Sequence, residues 1–382
     1  MNRNRNPLVI TAAILFALGA LVAYFSGFYI DWLWFKSVDF TTVWSTVLVT
    51  KIQLFLIVGL ITSLVISLNI FLAYQRRPLY VPTSIEVSGL ERLRAQVEPI
   101  RRWVFLGIVL ALAYFGGTSG MVFWREWMLF KNSTEFGVKD PQFGLDISFF
   151  AFRLPMWQAL IGWAISTLVL ATLASAFIHY MYGGIRTQVQ ADRTTVAARV
   201  QISVLLGLIV LLKAVAYWFD RYALALKESR LITGLTYTDV NATLPAKAIL
   251  SAIAVVCAIL FFANIIRRSW LLPAAGTALL VVSSVLIAGI YPGAIQQFQV
   301  KPSESSKEAP YIQRNIDATR AAYDLNGVVM QDYNATLSTS AGQLAKDAAT
   351  IANIRLMDPN VLSATFRQLQ QIKPYYTFPE SL

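Results

Sequence analysis

A chain of 382 residues that is 56% hydrophobic and only 14% charged, with a mean hydropathy of +0.56, falls outside the ordinary soluble class, in which about 25% of residues are charged. A net charge of +11 does not point to nucleic acid, because the basic residues gather at the ends of apolar runs and not on a face interleaved with stacking aromatics. With one cysteine, Cys257, and one histidine, His179, an intrachain disulfide and a paired-cysteine metal site are excluded, and no cofactor is expected.

The basic start, Asn2 to Pro7, leads into an apolar run over about 8–29. Some 20 apolar residues at 1.5 Å each cross the hydrocarbon, and no small-residue cleavage site follows, so a retained first span is expected. Asp31 to Lys36 and Trp44 then read as an outer loop on the membrane surface, since indole rings favour the headgroup region. A second span over 51–74 leads to the polar segment Gln75–Arg102, which carries Arg76, Arg77, Arg92, Arg94, Arg101 and Arg102 against Glu86, Glu91 and Glu98. Arginines at span ends stay on the cytoplasmic side. Within this segment Leu90, Leu93, Val97 and Ile100 recur at helical spacing, the pattern either of a helix on the inner leaflet or of a plain linker helix.

A third span, 103–119, ends in Gly116-Gly117-Thr118-Ser119-Gly120. The GxxxG spacing of Gly116 and Gly120 lets helix backbones approach closely, and without the lysine of GxxxxGK[ST] it is no phosphate loop. Residues 121–155 form an aromatic outer segment too broken by glycine and proline to span, and a re-entrant path against the bundle would suit it. Spans four to seven follow at 156–180, 201–219, 246–266 and 270–291, with Arg267-Arg268 making a minimal turn. The inner segments then hold thirteen Lys/Arg and four acids, and the outer loops ten Lys/Arg and nine acids. This asymmetry predicts a cytoplasmic N-terminus and an extracytoplasmic tail.

The fold class expected is therefore an all-α membrane protein, a seven-helix transmembrane bundle over 1–292, followed over 293–382 by a small, mainly helical α/β extracytoplasmic segment. In the tail, Pro310 opens a helical pattern that stops at Asn326-Gly327. Val328–Ala335 reads as a strand, and Leu344, Ala348 and Ile351 as a short helix. Asn360 caps a helix with Leu362, Phe366, Leu369 and Ile372 on one face, ended by Pro374. Eighty such residues make a marginal core, so the tail reads as the first part of a larger extracytoplasmic domain.

Three long stretches, Phe136–Pro155, Pro310–Leu325 and Asn353–Phe378, make the chain resemble the uncharacterised protein family 0182 (UPF0182), large bacterial membrane proteins. The resemblance covers essentially the whole chain. It implies a multi-pass plasma-membrane protein with seven spans and a long extracytoplasmic region, of which this chain is the N-terminal part. It implies no activity, ligand or catalytic residue.

Among individual residues, Lys213 is the ionisable group deepest in a span, a default candidate for a coupling charge. Six residues from the outer end, about 9 Å at helical rise, it also lies within snorkelling reach, with Tyr217 and Asp220 as receivers. His179 reads as part of an interfacial aromatic cluster with Tyr180 and Tyr182, and Cys257 as packing. For Asp140, Asp146, Lys139 and Arg153 structural salt bridges are expected, and for Arg314, Asp317, Arg320 and Asp324 pairing along an exposed helix. No nucleophile–base–orienter set is visible, so the chain leans away from an enzyme. The leading expectation is an integral plasma-membrane protein that displays an extracytoplasmic domain for envelope assembly or partner binding. Its partners would be the lipid bilayer, envelope proteins or a second copy. The alternative is a transporter or channel with Lys213 as its intramembrane charge.

Overall fold

The computed structural model describes residues 7–78, 96–186, 194–229, 232–267 and 271–332, and beyond these 342–346, 348–354, 358–373, 375, 377 and 378. Two compact units follow one another, Met1–Thr319 and Arg320–Leu382. The first contains α1 (Pro7–Ser37), α2 (Thr41–Gln75), α3 (Arg101–Met121), α4 (Trp124–Lys131), α5 (Leu154–Met181), α6 (Val196–Ala223), α7 (Leu244–Arg267), α8 (Leu271–Ser283), α9 (Tyr291–Ile295) and most of α10 (Glu304–Ala322). Wide five-residue-repeat turns lead into α5 (Phe149–Arg153) and α7 (Asp239–Thr243). Two more (Ser284–Ile290, Gln296–Val300) join α8, α9 and α10 into one helical run.

Among the described residues, seven helical stretches are long and apolar enough to cross a membrane: Ile14–Ser37, Thr41–Gln75, Glu98–Met121, Phe149–Met181, Val196–Leu226, Asp239–Arg267 and Leu271–Ala322. Their burial differs from that of a soluble bundle in its exposed apolar stripes and its share of buried polar side chains. On α2, Leu56, Leu60, Leu64 and Leu68 form a stripe at four-residue spacing that is more than half exposed, while Thr50, Thr62, Ser63 and Ser67 face inward. Water would not tolerate that stripe; lipid tails do, and they leave small and polar side chains to join the helices. The neighbours run in the order α3, α2, α5, α6, α7, α8, around a contact of Ile66, Ala171 and Leu205. Helices consecutive in the chain run antiparallel and α2 and α5 lie side by side in the same direction, so Arg76, Arg77, Arg101, Arg102, Arg186, Arg199 and Arg267 share one end of the bundle.

The α2–α3 seam is the tightest. A Cβ on Gly120 would lie 2.5 Å from Val58 Cβ, and one on Gly117 2.8 Å from the Phe55 carbonyl. The packing role expected for the Gly116–Gly120 pair is therefore observed, and Gly59 and Gly117 extend it. Trp163 of α5 donates to Thr62 Oγ1 of α2 at 3.0 Å, and Ser63 Oγ to the Val109 carbonyl of α3 at 2.8 Å.

Several sequence expectations are corrected. The outer loop placed at residues 30–51 is mostly helix: α1 runs on through the tryptophans to Ser37 and α2 begins at Thr41. Nothing between Ile30 and Ser37 breaks a helix, and the reversal is confined to 38–40, where Asp39 takes a φ of +60°. Pro310 does not open the tail helix but lies inside α10, because the helix arrives already formed from α8 and α9. It also ends at Ala322, before Asn326-Gly327, with Asp324 in the left-handed region at φ +54°. The helical run passes through Pro292-Gly293 without a break.

The α/β character expected of the tail is not found. Among the described residues there is no strand, only isolated bridges, and residues 328–332 are neither helix nor strand. Val328, Val329 and Met330 are 63%, 79% and 87% exposed, and a strand without a partner has no ladder to satisfy its backbone. Residues 333–335 of the expected strand lie outside the described ones, as does most of the expected amphipathic helix of the arginine segment. The second unit holds the short helices α11 (Gln343–Lys346) and α12 (Ala348–Ala352), and α13 (Pro359–Leu369). Asn360 lies inside α13 instead of capping it, and Ile372 lies beyond its end, 94% exposed. Pro374 is outside the described residues.

Candidate functional site: a polar cleft at the end opposite the arginines

Among the described residues, a dense set of polar contacts lies where residues 227–229 and 232–238 meet α9 and α10. Its origin is local. Thr236 and Asp239 form a capping box at the start of the α7 stretch. The Asp239 backbone N–H donates to Thr236 Oγ1 at 3.3 Å, and the Thr236 N–H donates back to Asp239 Oδ2 at 3.2 Å. The Thr236 hydroxyl adds a 2.8 Å bond to the same oxygen. Asp239 is thereby held with its side chain 1% exposed, and Lys227, itself half exposed, spans both carboxylate oxygens at 2.8 and 3.0 Å. Lys227 is placed by a tight reversal in which the Gly234 N–H donates to its carbonyl at 2.7 Å. Gly234 has a φ of +112°, which favours glycine.

From the other side, α10 brings Glu308, 6% exposed, whose Oε2 accepts the Tyr237 N–H at 3.0 Å. Thr238 Oγ1 bonds Gln296 Oε1. Lys307 lies 4.9 Å over the Tyr237 ring, Asn315 donates to the Thr233 carbonyl at 2.9 Å, and Arg314 to Gln142 Oε1 at 3.1 Å. Between these elements is a cleft of about 550 Å³, with Lys301 and Glu304 beside Lys227, Asp239 and Glu308. That size is in the range of small-ligand sites. The chemistry is that of polar recognition: the Ser229 hydroxyl is committed to the Ile232 carbonyl at 2.6 Å, and no base is set beside it among the described residues. No group of three metal-ligating side chains occurs among the described residues.

The sequence singled out other residues. Lys213 is half buried in α6, its ammonium 4.8 Å from the Tyr217 ring centre. Asp220, the other receiver expected, instead pairs with Lys247 at 3.3 Å. His179 departs from the aromatic cluster expected for it. It is 1% exposed, and its Nε2 lies 3.0 Å from Gln201 Oε1. Gln201 Nε2 in turn donates to the Asn69 carbonyl at 2.9 Å and to Ser175 Oγ at 3.3 Å. That network ties α2, α5 and α6, while Tyr182 pairs edge-on with Tyr74 at 5.2 Å. Cys257 is fully buried, as expected of a packing residue.

Asp140 and Asp146 hold the 136–148 loop through backbone groups, not through the salt bridges expected. Asp140 Oδ1 accepts the N–H groups of Gln142 and Phe143 at 2.9 and 2.7 Å. Asp146 accepts those of Phe136, Gly137 and Ser148 at 2.8–3.1 Å. The Ser148 hydroxyl and these N–H groups lower the Asp146 pKa from 3.8 to about 2. Arg153 lies 3.4 Å from Ser133 Oγ. On α10, Arg314 reaches Gln142 and Asp317 accepts from Gln313 at 2.8 Å, in place of the charge ladder expected.

Arg76, Arg77, Arg101, Arg102 and Arg267 sit at the arginine end. Arg101 pairs with Glu98 and with the Tyr74 hydroxyl, and Arg77 stacks 3.9 Å over the Tyr74 ring. Arg92, Arg94 and Arg268 lie outside the described residues. The cleft residues Lys227, Asp239 and Glu308 were not singled out by the sequence reading. Thr236-x-x-Asp239 ahead of an apolar run was the available signal.

Fold and burial define a helical protein compatible with membrane insertion, with seven helices long and apolar enough to cross a bilayer among the described residues. The chain belongs to the uncharacterised protein family UPF0182, whose model matches residues 8–382. It is 45% identical over 387 residues to a UPF0182 protein of Streptomyces coelicolor, an alignment covering 100% of this chain and 39% of that one. A UPF0182 protein of Frankia alni is 48% identical over 352 residues, covering 92% and 34%, and one of Rhodococcus opacus 43% identical over 387 residues, covering 100% and 39%. The chain thus spans roughly two fifths or less of the length of these relatives. No solved structure matches it.

Proposed function

We propose that this protein is a multi-pass plasma-membrane anchor, N-terminus cytoplasmic, that displays an extracytoplasmic region for envelope assembly or partner binding. One observation carries the reading. The helical run Leu271–Ala322 has 52 residues, a contour of about 78 Å against ~30 Å of hydrocarbon. Its surplus is bonded to the 227–238 loop and to Gln142 at the end opposite the arginines. A helix that only crossed the bilayer would not carry Glu308, Arg314 and Asn315 onto the connecting loops. Arginine retention supports placing that end outside the cytosol.

The test is a pair of reporters fused after Leu382, one active only outside the cytosol and one only inside. Activity of the first supports the reading, and activity of the second alone overturns it. Crosslinking in intact membranes should recover the same envelope protein or second copy repeatedly; none recovered counts against display. A transporter remains the second reading, favoured by the half-buried ammonium of Lys213 inside α6. It requires that Lys213→Ala abolish a solute flux at unchanged membrane abundance, and unaltered flux removes it.

A further inference from the structure

At the arginine end, α3 and α5 both lie against α2 but leave a furrow between them. Its outer part, about 310 Å³, is walled by Ile70, Phe105 and Ile178, with Tyr74, Arg101 and Arg102 at the mouth. A second part, about 360 Å³, shares Ile70, Ile108 and Ile178 and continues inward along Ile66, Leu112 and Ala174 with a wholly apolar lining. The two form one continuous slot. From Arg102 to Leu112 it descends ten residues of α3, about 15 Å at helical rise. That is half of the ~30 Å hydrocarbon, the depth of one leaflet.

One to two turns beyond the deep end the slot is closed. Trp163 of α5 bonds Thr62 of α2, and Thr62 abuts Gly116 of α3, where a Cβ would lie 2.8 Å from its own. A transmembrane helix from a second copy needs a groove through the whole bilayer, which this is not. The mouth is cationic: Arg77 lies over Tyr74 at 3.9 Å and 5.5 Å from the Tyr182 ring, both rings lining the slot. Arg101 has Glu98 as partner, which, among the described residues, leaves the mouth positive with Arg77 and Arg102 counted.

We propose that this furrow binds one anionic phospholipid of the arginine-end leaflet, an acyl chain lying between α3 and α5 and the phosphate against Arg101 and Arg102. Basic pockets between membrane helices suit acidic headgroups, because guanidinium–phosphate bonds strengthen away from bulk water. The site rests on the chain's crossing a membrane, not on which side the arginine end faces, so a failed topology test leaves it standing.

The full chain, extracted in mild detergent, is titrated with phosphatidylglycerol or phosphatidylcholine and read by native mass spectrometry. One phosphatidylglycerol per chain, bound in preference to phosphatidylcholine, is expected. Arg101→Gln combined with Arg102→Gln should weaken it about thirtyfold, and Ala174→Phe should block the furrow with the arginines intact. Equal binding of the two lipids by the unaltered chain overturns the proposal, with no variant required. Retention of phosphatidylglycerol by both variants, or its displacement by inorganic phosphate alone, overturns it as well.

Discussion

Gly59 provides a sharp test of the packing between α2 and α3. In Gly59→Ala the new Cβ would stand 2.4 Å from the Ala113 carbonyl oxygen and 3.1 Å from both N and Cα of Gly117. All three are backbone atoms, so no side chain can turn aside. Ordinary contact begins near 3.4 Å, and the helices must part by roughly 1 Å at this level. The same displacement would stretch the Ser63 Oγ to Val109 carbonyl bond, 2.8 Å and one turn away, to the edge of hydrogen bonding. Overpacking costs about 1–3 kcal/mol and the lost bond ~0.6–1.7, against ~1 kcal/mol gained from alanine's helix propensity. The expected net loss is about 2 kcal/mol. Gly107→Ala, on the same helix pair but with nothing within 4 Å of its Cβ, should be neutral or stabilising by up to about 1 kcal/mol. Equilibrium unfolding in mixed micelles, followed by helical circular dichroism, measures both. If Gly59→Ala is as stable as Gly107→Ala, the close-approach reasoning is refuted.

The remaining predictions concern polar contacts. Because the folded Asp146 carboxyl titrates near about 2, below its ordinary 3.8, its contribution is present above about pH 4 and is lost as pH falls toward 2. Proteolysis of the 136–148 loop should accelerate over that window, and Asp146→Asn should flatten the profile; an unchanged profile refutes the role. Asp239→Ala should cost about 1–2 kcal/mol, since it removes half of the capping box and leaves behind only a half-exposed ammonium, whereas Lys227→Ala strands a carboxylate that is 1% exposed without its counter-ion and should cost more, about 3 kcal/mol. Equal losses on thermal denaturation would contradict that ranking. Gln201→Leu strands His179 Nε2, the Asn69 carbonyl and Ser175 in the bundle and should cost about 1–3 kcal/mol, read by the same micellar unfolding.

What could be read from the residues depended on whether the physics was local. Apolar runs of about 20 residues announce candidate crossings by length alone, and among the described residues seven helices have the length and hydropathy to cross. Their ends were less legible. A helix continues until something stops it, and no stop separates the tryptophans after Tyr29 from α1, or Pro292 from α9. Pro310 read as a start because proline favours first turns, but a chain already helical can carry it inside. Partners were hardest. Lys213 sits on Tyr217 within its own helix and was found, while Gln201 meets Asn69 from 132 positions away and was not. Thr236 and Asp239 were within reach of a capping-box search, yet nothing local marks Glu308 as the acceptor of the Tyr237 N–H, 71 positions away.

The amino-acid order alone determined that this is a bundle of helices apolar enough for a membrane with most of its arginines toward one end, because hydropathy and charge act segment by segment. Only the tertiary structure decided which polar groups meet. It placed Lys227, Asp239 and Glu308 around one cleft and drew His179 inward to Gln201. It also left a slot between α3 and α5 above Trp163. In hydrocarbon the apolar surface does not choose helix neighbours, so glycine contacts and a few buried hydrogen bonds make that choice.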